Sequence, residues 1–569
     1  MRYSKAFGKT SKNEGTDLSV KSHRLLVQAG YIRESTAGRY YLLPLGIKVQ
    51  HKIIAIIKKH MDQAGAQQLV TPTLHPLELW QETNRDNAAG YELTYVTDRR
   101  GAKFALGGTA EEMIVDLVRK FNISYKDLPF NVYQFSLKFR DEMRARGGLL
   151  RVREFTMKDA YSFGNEEQFE ETYQTMRQTY TDIFKELGLE TAVAEADSGY
   201  IGGEYCHEFI ADAEVGESTY YTDGEYVAHE DVAVFELEPL NLEEPEAELK
   251  EVDAERGTTM QDGAAMHNLP MWQQIKDVMY VDEANNRYIL AVIRGDFEVN
   301  ETKLMRGLGL HNLRLANEEE IRDDIGSEPG FISPVKISKT TKSGRQLIVV
   351  GDPSLKTVKN AYGGANSKNR DLLNINFGRD YQLDQEFDIA MAQAGFKAKS
   401  GKPLEMRKGV EVGNIFQLGY HYSNLMKNAE FTNQQGFRQK YYMGCYGIGV
   451  ERTLATIAEV YADEHGLVWP ANVAPYEVYL VSIGDIQDRA DDVYEQLTKA
   501  GIDVLYDDRD VRPGEKMADA DLLGIPIRLV ISPRSLESDQ VEVKLRTSAE
   551  SELVELKSLI KHIHQLLSK

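Results

Sequence analysis

Residues 139–163 read FRDEMRARGGLLRVREFTMKDAYSF, and this stretch constrains the chain more tightly than any other. Six basic side chains lie in it: Arg140, Arg144, Arg146, Arg151, Arg153 and Lys158. Gly147-Gly148 sits in the middle, with apolar positions at both ends. That pattern predicts two strands joined by a loop, with arginines projecting from the paired surface. Arginine suits phosphate because its planar fork donates two parallel charge-assisted bonds and stays protonated. Taken alone, an anonymous basic hairpin of this kind is more often a solvated, salt-bridged surface than a site.

The rest of the chain decides between those readings. At 569 residues it has room for about four domains, each with its own core. A net charge of -22 argues against a protein that coats nucleic acid non-specifically, but not against local basic patches. The charge is patterned: residues 231–256 hold ten carboxylates against Lys250 and Arg256, the reverse of the basic hairpin. No apolar run approaches the ~20 residues of a membrane span, and the N-terminal residues lack the apolar core of a secretory signal. Cys206 and Cys445 cannot build a disulfide framework or a four-thiolate zinc site, so a reducing cytoplasm is the expected compartment.

Helical spacing predicts a helix over 20–29, and Ile47, Ile54, Ile57 and Met61 predict an amphipathic helix over 47–64 that Gly65 ends. Residues 67–74 read as a strand interrupted by Pro72, which marks an edge or an interface. Thr109 and Glu112 have the spacing of a capping box, leaving Glu111 free to face a cationic ligand. A helix is expected over 166–187, then a glycine-rich stretch, 198–203, that leads to His207. Further on, YILAVIRG (288–295) and QLIVVG (346–351) belong to an α/β segment with its own core. The run Gly447-x-Gly449-x-x-Arg452 reads as a strand feeding a helix. It lacks the third glycine of a dinucleotide fingerprint. Beyond the Trp469-Pro470 and Ala474-Pro475 linker, strands near 477–482, 503–506, 527–531 and 540–545 alternate with helices near 487–500, 514–523 and 549–567.

These pieces, in this order, resemble bacterial-type prolyl-tRNA synthetases, a class IIa family, over essentially the whole chain. Pro72 in LVTPTLHPLELW is similar to the first class II motif. Phe139-Arg140-Asp141-Glu142 with Phe155 and Asp159 is similar to the second, and Gly447 to Arg452 to the third. Thr109-Ala110-Glu111 resembles the T-x-E loop that grips proline. The tail, through Asp507-Asp508-Arg509, Arg512-Pro513-Gly514, Lys516 and Gly524-Ile525-Pro526, resembles an anticodon-binding domain.

The resemblance implies an α+β multidomain chain with a class II antiparallel-sheet catalytic core, an inserted α/β editing domain and a C-terminal α/β anticodon-binding domain. Its expected divisions are 1–224 and 401–468 for the catalytic domain, 225–400 for the editing-type insertion and 469–569 for the anticodon-binding domain. It implies ATP with Mg2+, proline and tRNA(Pro) as what the protein handles, in a cytoplasmic homodimer. Arg140 would bridge the proline carboxylate and the α-phosphate, and Arg452 the far end of a bent triphosphate. Glu142 would take the adenine amine and Phe155 stack on the ring, with Arg151, Glu411 and Gln417 as further ATP contacts and Glu411 as a magnesium contact. Thr109, Glu111 and His207 would line the proline pocket, and Arg144 and Arg146 meet the acceptor end of tRNA. Lys276, Asp296, Asn300 and Lys303 resemble features of the editing domain. The histidine that the family often carries in 363–380 is absent. Two alternatives stay open from the residues: a class IIa synthetase for another amino acid, and a non-catalytic synthetase-like tRNA-binding or regulatory protein.

Overall fold

The computed structural model describes residues 1–11, 13, 15–16, 18–86, 93–310 and 312–568. They divide into two compact units, one of 1–193, 198–218 and 408–569, the other of 194–197 and 219–407.

The first unit is built on the hairpin. Its strands are Phe130–Phe139 and Glu154–Gly164, antiparallel, with Phe139 opposite Glu154. The strand Tyr442–Gly449 pairs with the second of these, Glu405–Gly419 follows, and Tyr205–Asp212 pairs in turn with Glu405–Gly419, all antiparallel. One face of this sheet is sealed by the helix Glu166–Glu186. Asn165 caps that helix in a reciprocal pair with Gln168, and Phe169, Tyr173, Met176, Tyr180, Ile183 and Phe184 give it a continuous buried stripe. Burying such aromatic side chains stabilises the layer by roughly 1.5–3 kcal/mol each. The helix Pro44–Gln63 packs against both Glu166–Glu186 and Val450–Tyr461. Gly65, at φ +77°, follows it in the left-handed conformation expected of a C-terminal glycine.

Two expected elements differ. Only Gln67–Gln68 of the segment 67–74 pairs with the sheet, in parallel to Val132 and Tyr133. Pro72 has no N–H to continue a ladder, and the Thr71 N–H and hydroxyl both donate to Gln134 Oε1 instead, each at 2.9 Å. Leu74–Pro76 then joins a separate three-stranded sheet. At the C-terminal end, the helix expected from 549 begins only at Leu559. Glu552–Glu555 forms a fifth strand on the sheet Val504–Asp507, Val478–Ser482, Ile527–Ile531, Gln540–Leu545. Val554 is buried there while Leu553 is exposed, an alternation of period two that a helical reading of the same leucines conceals. The N-terminus is tied to this sheet: the Met1 ammonium donates to Val504 O at 2.9 Å, and Ser4 binds Asp508 through its N–H and its hydroxyl.

The second unit has a five-stranded sheet in which Arg287–Arg294 lies between the antiparallel strand Ile275–Asp282 and the parallel strand Gln346–Gly351. The two apolar runs seen in the sequence are thus neighbours. Both are buried on both faces, which is why neither alternates. No helix among the described residues is long and apolar enough to cross a membrane.

Candidate active site

Strand alternation assigns each side chain of the first unit's sheet to one of two faces. Phe155, Met157, Asp159 and Tyr161 share a face with Gly449, Gly447 and Cys445 across the ladder. Lys158 points the other way, buried, onto the Tyr180 hydroxyl and Tyr446 O; burial holds its ammonium well below its usual pKa. It is therefore not part of the basic patch that the sequence gathers in 140–158.

The open face carries a cleft of ≈ 580 Å³, open space included, lined by Arg140, Glu142, Arg151, Phe155, Glu411 and Arg452. Its floor is kept bare by Gly447 and Gly449, where a Cβ would face Asn414 and Arg452. Arg140 donates from Nε to Gly108 O at 3.3 Å, and its guanidinium carbon lies 5.4 Å from the Phe155 ring centre. Arg452, in the first turn of Val450–Tyr461, donates to Leu150 O at 2.7 Å and to Glu411 Oε2 at 3.1 Å. Arg151 grips Glu142 Oε2 through Nε and Nη2, at 2.9 and 2.6 Å. Its Nη1 and the Arg146 Nε both reach Glu217, at 3.0 and 2.6 Å. Arg144 is exposed in the loop between the hairpin strands. The loop owes its path to Gly148: at φ +64°, with a Cβ that would stand 2.6 Å from the His23 ring, only glycine fits.

Behind Arg140, whose Nε donates to Gly108 O, lies a buried cluster of charged side chains. The helix Glu111–Val118 starts at Ala110, whose N–H donates to the Tyr161 hydroxyl at 3.1 Å. The expected capping box between Thr109 and Glu112 does not form. The N-cap is Ala110 without a side-chain bond, and the Thr109 hydroxyl reaches both oxygens of Glu111, at 2.7 and 2.6 Å. Glu111 and Glu112 are both buried, so their carboxylates seek charged partners rather than the backbone. Arg85 supplies one, at 2.8 Å from Glu112 and 3.3 Å from Glu111. No motif marked Arg85 in the sequence. It is a single arginine between Asn84 and Asp86.

Two expected site residues lie elsewhere. His207 sits opposite Ile415 on the helix-covered face, its ring nitrogens against the hydroxyls of Tyr173 (2.8 Å) and Tyr205 (3.2 Å). Burial, and then the nearby Arg177, push its pKa down to about 4. Gln417 is on the same face and donates to Glu204 and the Tyr442 hydroxyl. Both residues lie on strands, Tyr205–Asp212 and Glu405–Gly419, where odd and even positions look in opposite directions.

Glu451 was missed although it lies inside the third motif. It accepts from Thr156 N at 2.8 Å and Gln50 Nε2 at 2.7 Å, so it ties the hairpin, the helix Pro44–Gln63 and Arg452's helix together. Burial pushes its carboxyl up to about 7.

In the second unit, the Lys276 ammonium donates to Phe297 O at 2.6 Å and Glu298 Oε1 at 2.5 Å, and Asp296 is held in a fork by Arg294. Asn300 and Lys303 are spent on the framework. Asn300 caps the helix Glu301–Leu308 and donates to Glu230 O, and the buried Lys303 ammonium binds Ala233 O, Asp388 and Ala390 O.

An antiparallel sheet with an arginine on the hairpin, an arginine on the following glycine-led helix, and a carboxylate pocket behind them defines a class II aminoacyl-tRNA synthetase. Residues 91–461 match the model of the class II core domain for the G, H, P, S and T enzymes, and 477–566 that of the anticodon binding domain. The chain is 41% identical to a proline–tRNA ligase of Dehalococcoides mccartyi over 99% of its own length and 98% of that protein's. It is 41% identical to one of a Geobacillus species over the whole of both. In structure it is similar to prolyl-tRNA synthetase from Cryptosporidium parvum, solved with halofuginone and AMPPNP, at a TM-score of 0.57 and 15% identity over 96% of this chain and 76% of that one. The chain belongs to the proline–tRNA ligase family.

Proposed function

We propose that this protein activates proline with ATP and transfers it to tRNA(Pro), with the cleft and the pocket behind Arg140 as its active site. The observation that carries this reading is the position of Arg140, between the Glu111 pocket and the Phe155 cleft. An amino acid whose ammonium meets Glu111 and Thr109 presents its carboxylate to Arg140. A nucleotide stacked on Phe155 presents its α-phosphate to the same guanidinium. A carboxylate oxygen then attacks the α-phosphorus and pyrophosphate leaves. In the second step the terminal ribose hydroxyl of tRNA attacks the activated carbonyl and AMP leaves.

Neither step needs a covalent nucleophile from the chain, so catalysis rests on alignment and on cations fixed where charge develops. Arg140 and Arg452 serve at the two ends of the triphosphate, with Arg151 and Glu142 at the base. Arg151 holds Glu142 and so orients its carboxylate for an adenine amine. Glu411 is one carboxylate on the cleft wall beside Arg452, which fits a magnesium ion bound mainly through phosphate oxygens. Such an ion would neutralise phosphate charge. Arg144 and Arg146 face outward for the acceptor end of the tRNA.

The second unit is proposed to hydrolyse mischarged tRNA. A pocket that admits proline admits alanine, since missing methylenes are worth only about 1–3 kcal/mol each in discrimination. Lys276, whose ammonium meets Phe297 O and Glu298, and Asp296, held by Arg294, are the residues proposed for this step, and Lys276→Ala should slow deacylation of alanyl-tRNA(Pro). A homodimer through the Pro72 segment and a cytoplasmic location complete the reading. Amino-acid-dependent ATP–pyrophosphate exchange without tRNA tests it. Exchange with proline is expected; exchange with threonine alone, or with no amino acid, would reject it.

A further inference from the structure

Arg85 is buried between two carboxylates that are more buried still. Its guanidinium touches both, and the rings of Trp80, Tyr200 and Tyr422 surround it with centres 5.1, 5.6 and 5.6 Å away. Aromatic faces welcome a cation and exclude water, so the charges inside this cage interact strongly. The Thr83 hydroxyl donates to Glu112 Oε1 at 2.9 Å, the oxygen that Arg85 also holds, while Thr109 serves Glu111. Arg85 is thus closer to Glu112 than to Glu111, by 2.8 against 3.3 Å. Two carboxylates and one guanidinium leave one negative charge, on Glu111, which Arg85 holds less closely. A buried site with a single uncompensated charge is costly until a single opposite charge enters it.

We propose that Arg85 is a specificity-determining residue of the amino-acid pocket: it cancels the charge of Glu112, so that Glu111 presents one negative charge to a monocationic ammonium. The inference rests on the reading of Thr109 and Glu111 as the proline site. Burial pushes the Glu112 carboxyl up, and Arg85 is the first group that opposes this, in keeping with the pairing. Removing Arg85 leaves two adjacent carboxylates that compete for a proton, so the site no longer matches one ammonium. Removing the charge of Glu112 frees Arg85 to neutralise Glu111, and the match is lost again. Removing both restores one carboxylate facing one ammonium.

The test is proline-dependent ATP–pyrophosphate exchange by Arg85→Gln, Glu112→Gln and the double variant, with KM for proline and for ATP read separately. Each single change is expected to raise KM for proline about ten-fold or more while KM for ATP stays within about two-fold, and the double to return within about three-fold of the parent. A merely structural salt bridge gives a double variant no better than the worse single one, and that result overturns the assignment. If Arg85→Gln does not fold by circular dichroism, Arg85→Lys decides. It keeps the charge and loses the fork, so KM for proline within about three-fold of the parent supports the proposal and a rise of about ten-fold overturns it. A parent enzyme that exchanges with another amino acid would instead reject the proline reading itself.

Discussion

His207 shows how much a single side chain's direction matters. It stands in the stretch that the family resemblance assigns to the proline pocket, yet its ring is packed between Tyr173 and Tyr205 behind the sheet. Its pKa falls from 6.5 to about 4, so the folded chain holds it neutral where the unfolded chain takes up a proton. The stability it lends is complete above about pH 6.5 and is lost as pH falls towards 4, up to about 3 kcal/mol over that window. His207→Gln should flatten this acid limb in thermal unfolding, while KM for proline at pH 7.5 changes by less than about three-fold. A large rise in KM at unchanged stability would return the residue to the pocket. Arg452 gives the opposite expectation. Its contacts to Leu150 O and Glu411 fix it over the cleft, and Arg452→Ala should lower exchange kcat/KM by about 10²–10³-fold with little effect on melting.

At the scale of elements, the hairpin was readable from residues 139–163 because its glycine pair, its apolar ends and its arginines agree. Both strands, the loop and the strand-to-helix turn at Gly449 follow that reading. Three things were not readable. The face on which Lys158 and Gln417 lie depends on register across strands far apart in sequence. The competition that turned Thr109 away from its cap came from burial of Glu111, a tertiary effect on a local motif. Arg85 carries no signature at all until the chain folds it against Glu112. The loop of the hairpin yields its own prediction. Arg144→Ala with Arg146→Ala should cut aminoacylation of tRNA about ten-fold or more, while exchange without tRNA stays within about two-fold. Parallel losses in both assays would place these arginines on the nucleotide instead.

At the scale of the whole molecule, the net charge of -22 conceals the division of labour. Cations are concentrated on the hairpin, while ten carboxylates crowd residues 231–256 at the entry to the second unit. That unit has its own cores, so the deacylation proposed for it is separable from activation. Lys276→Ala should leave proline exchange unchanged within about two-fold and slow alanyl-tRNA(Pro) deacylation about ten-fold or more. Intact deacylation would reject the part proposed for Lys276.

One guanidinium, that of Arg140, is proposed to join the two substrates of the activation step. The most direct measurement is proline-dependent ATP–pyrophosphate exchange, without tRNA, by the parent and by Arg140→Ala. The parent is expected to exchange, and the variant, folded by circular dichroism, to lose about 10²-fold or more in kcat/KM. Exchange by Arg140→Ala at the parental rate would contradict it.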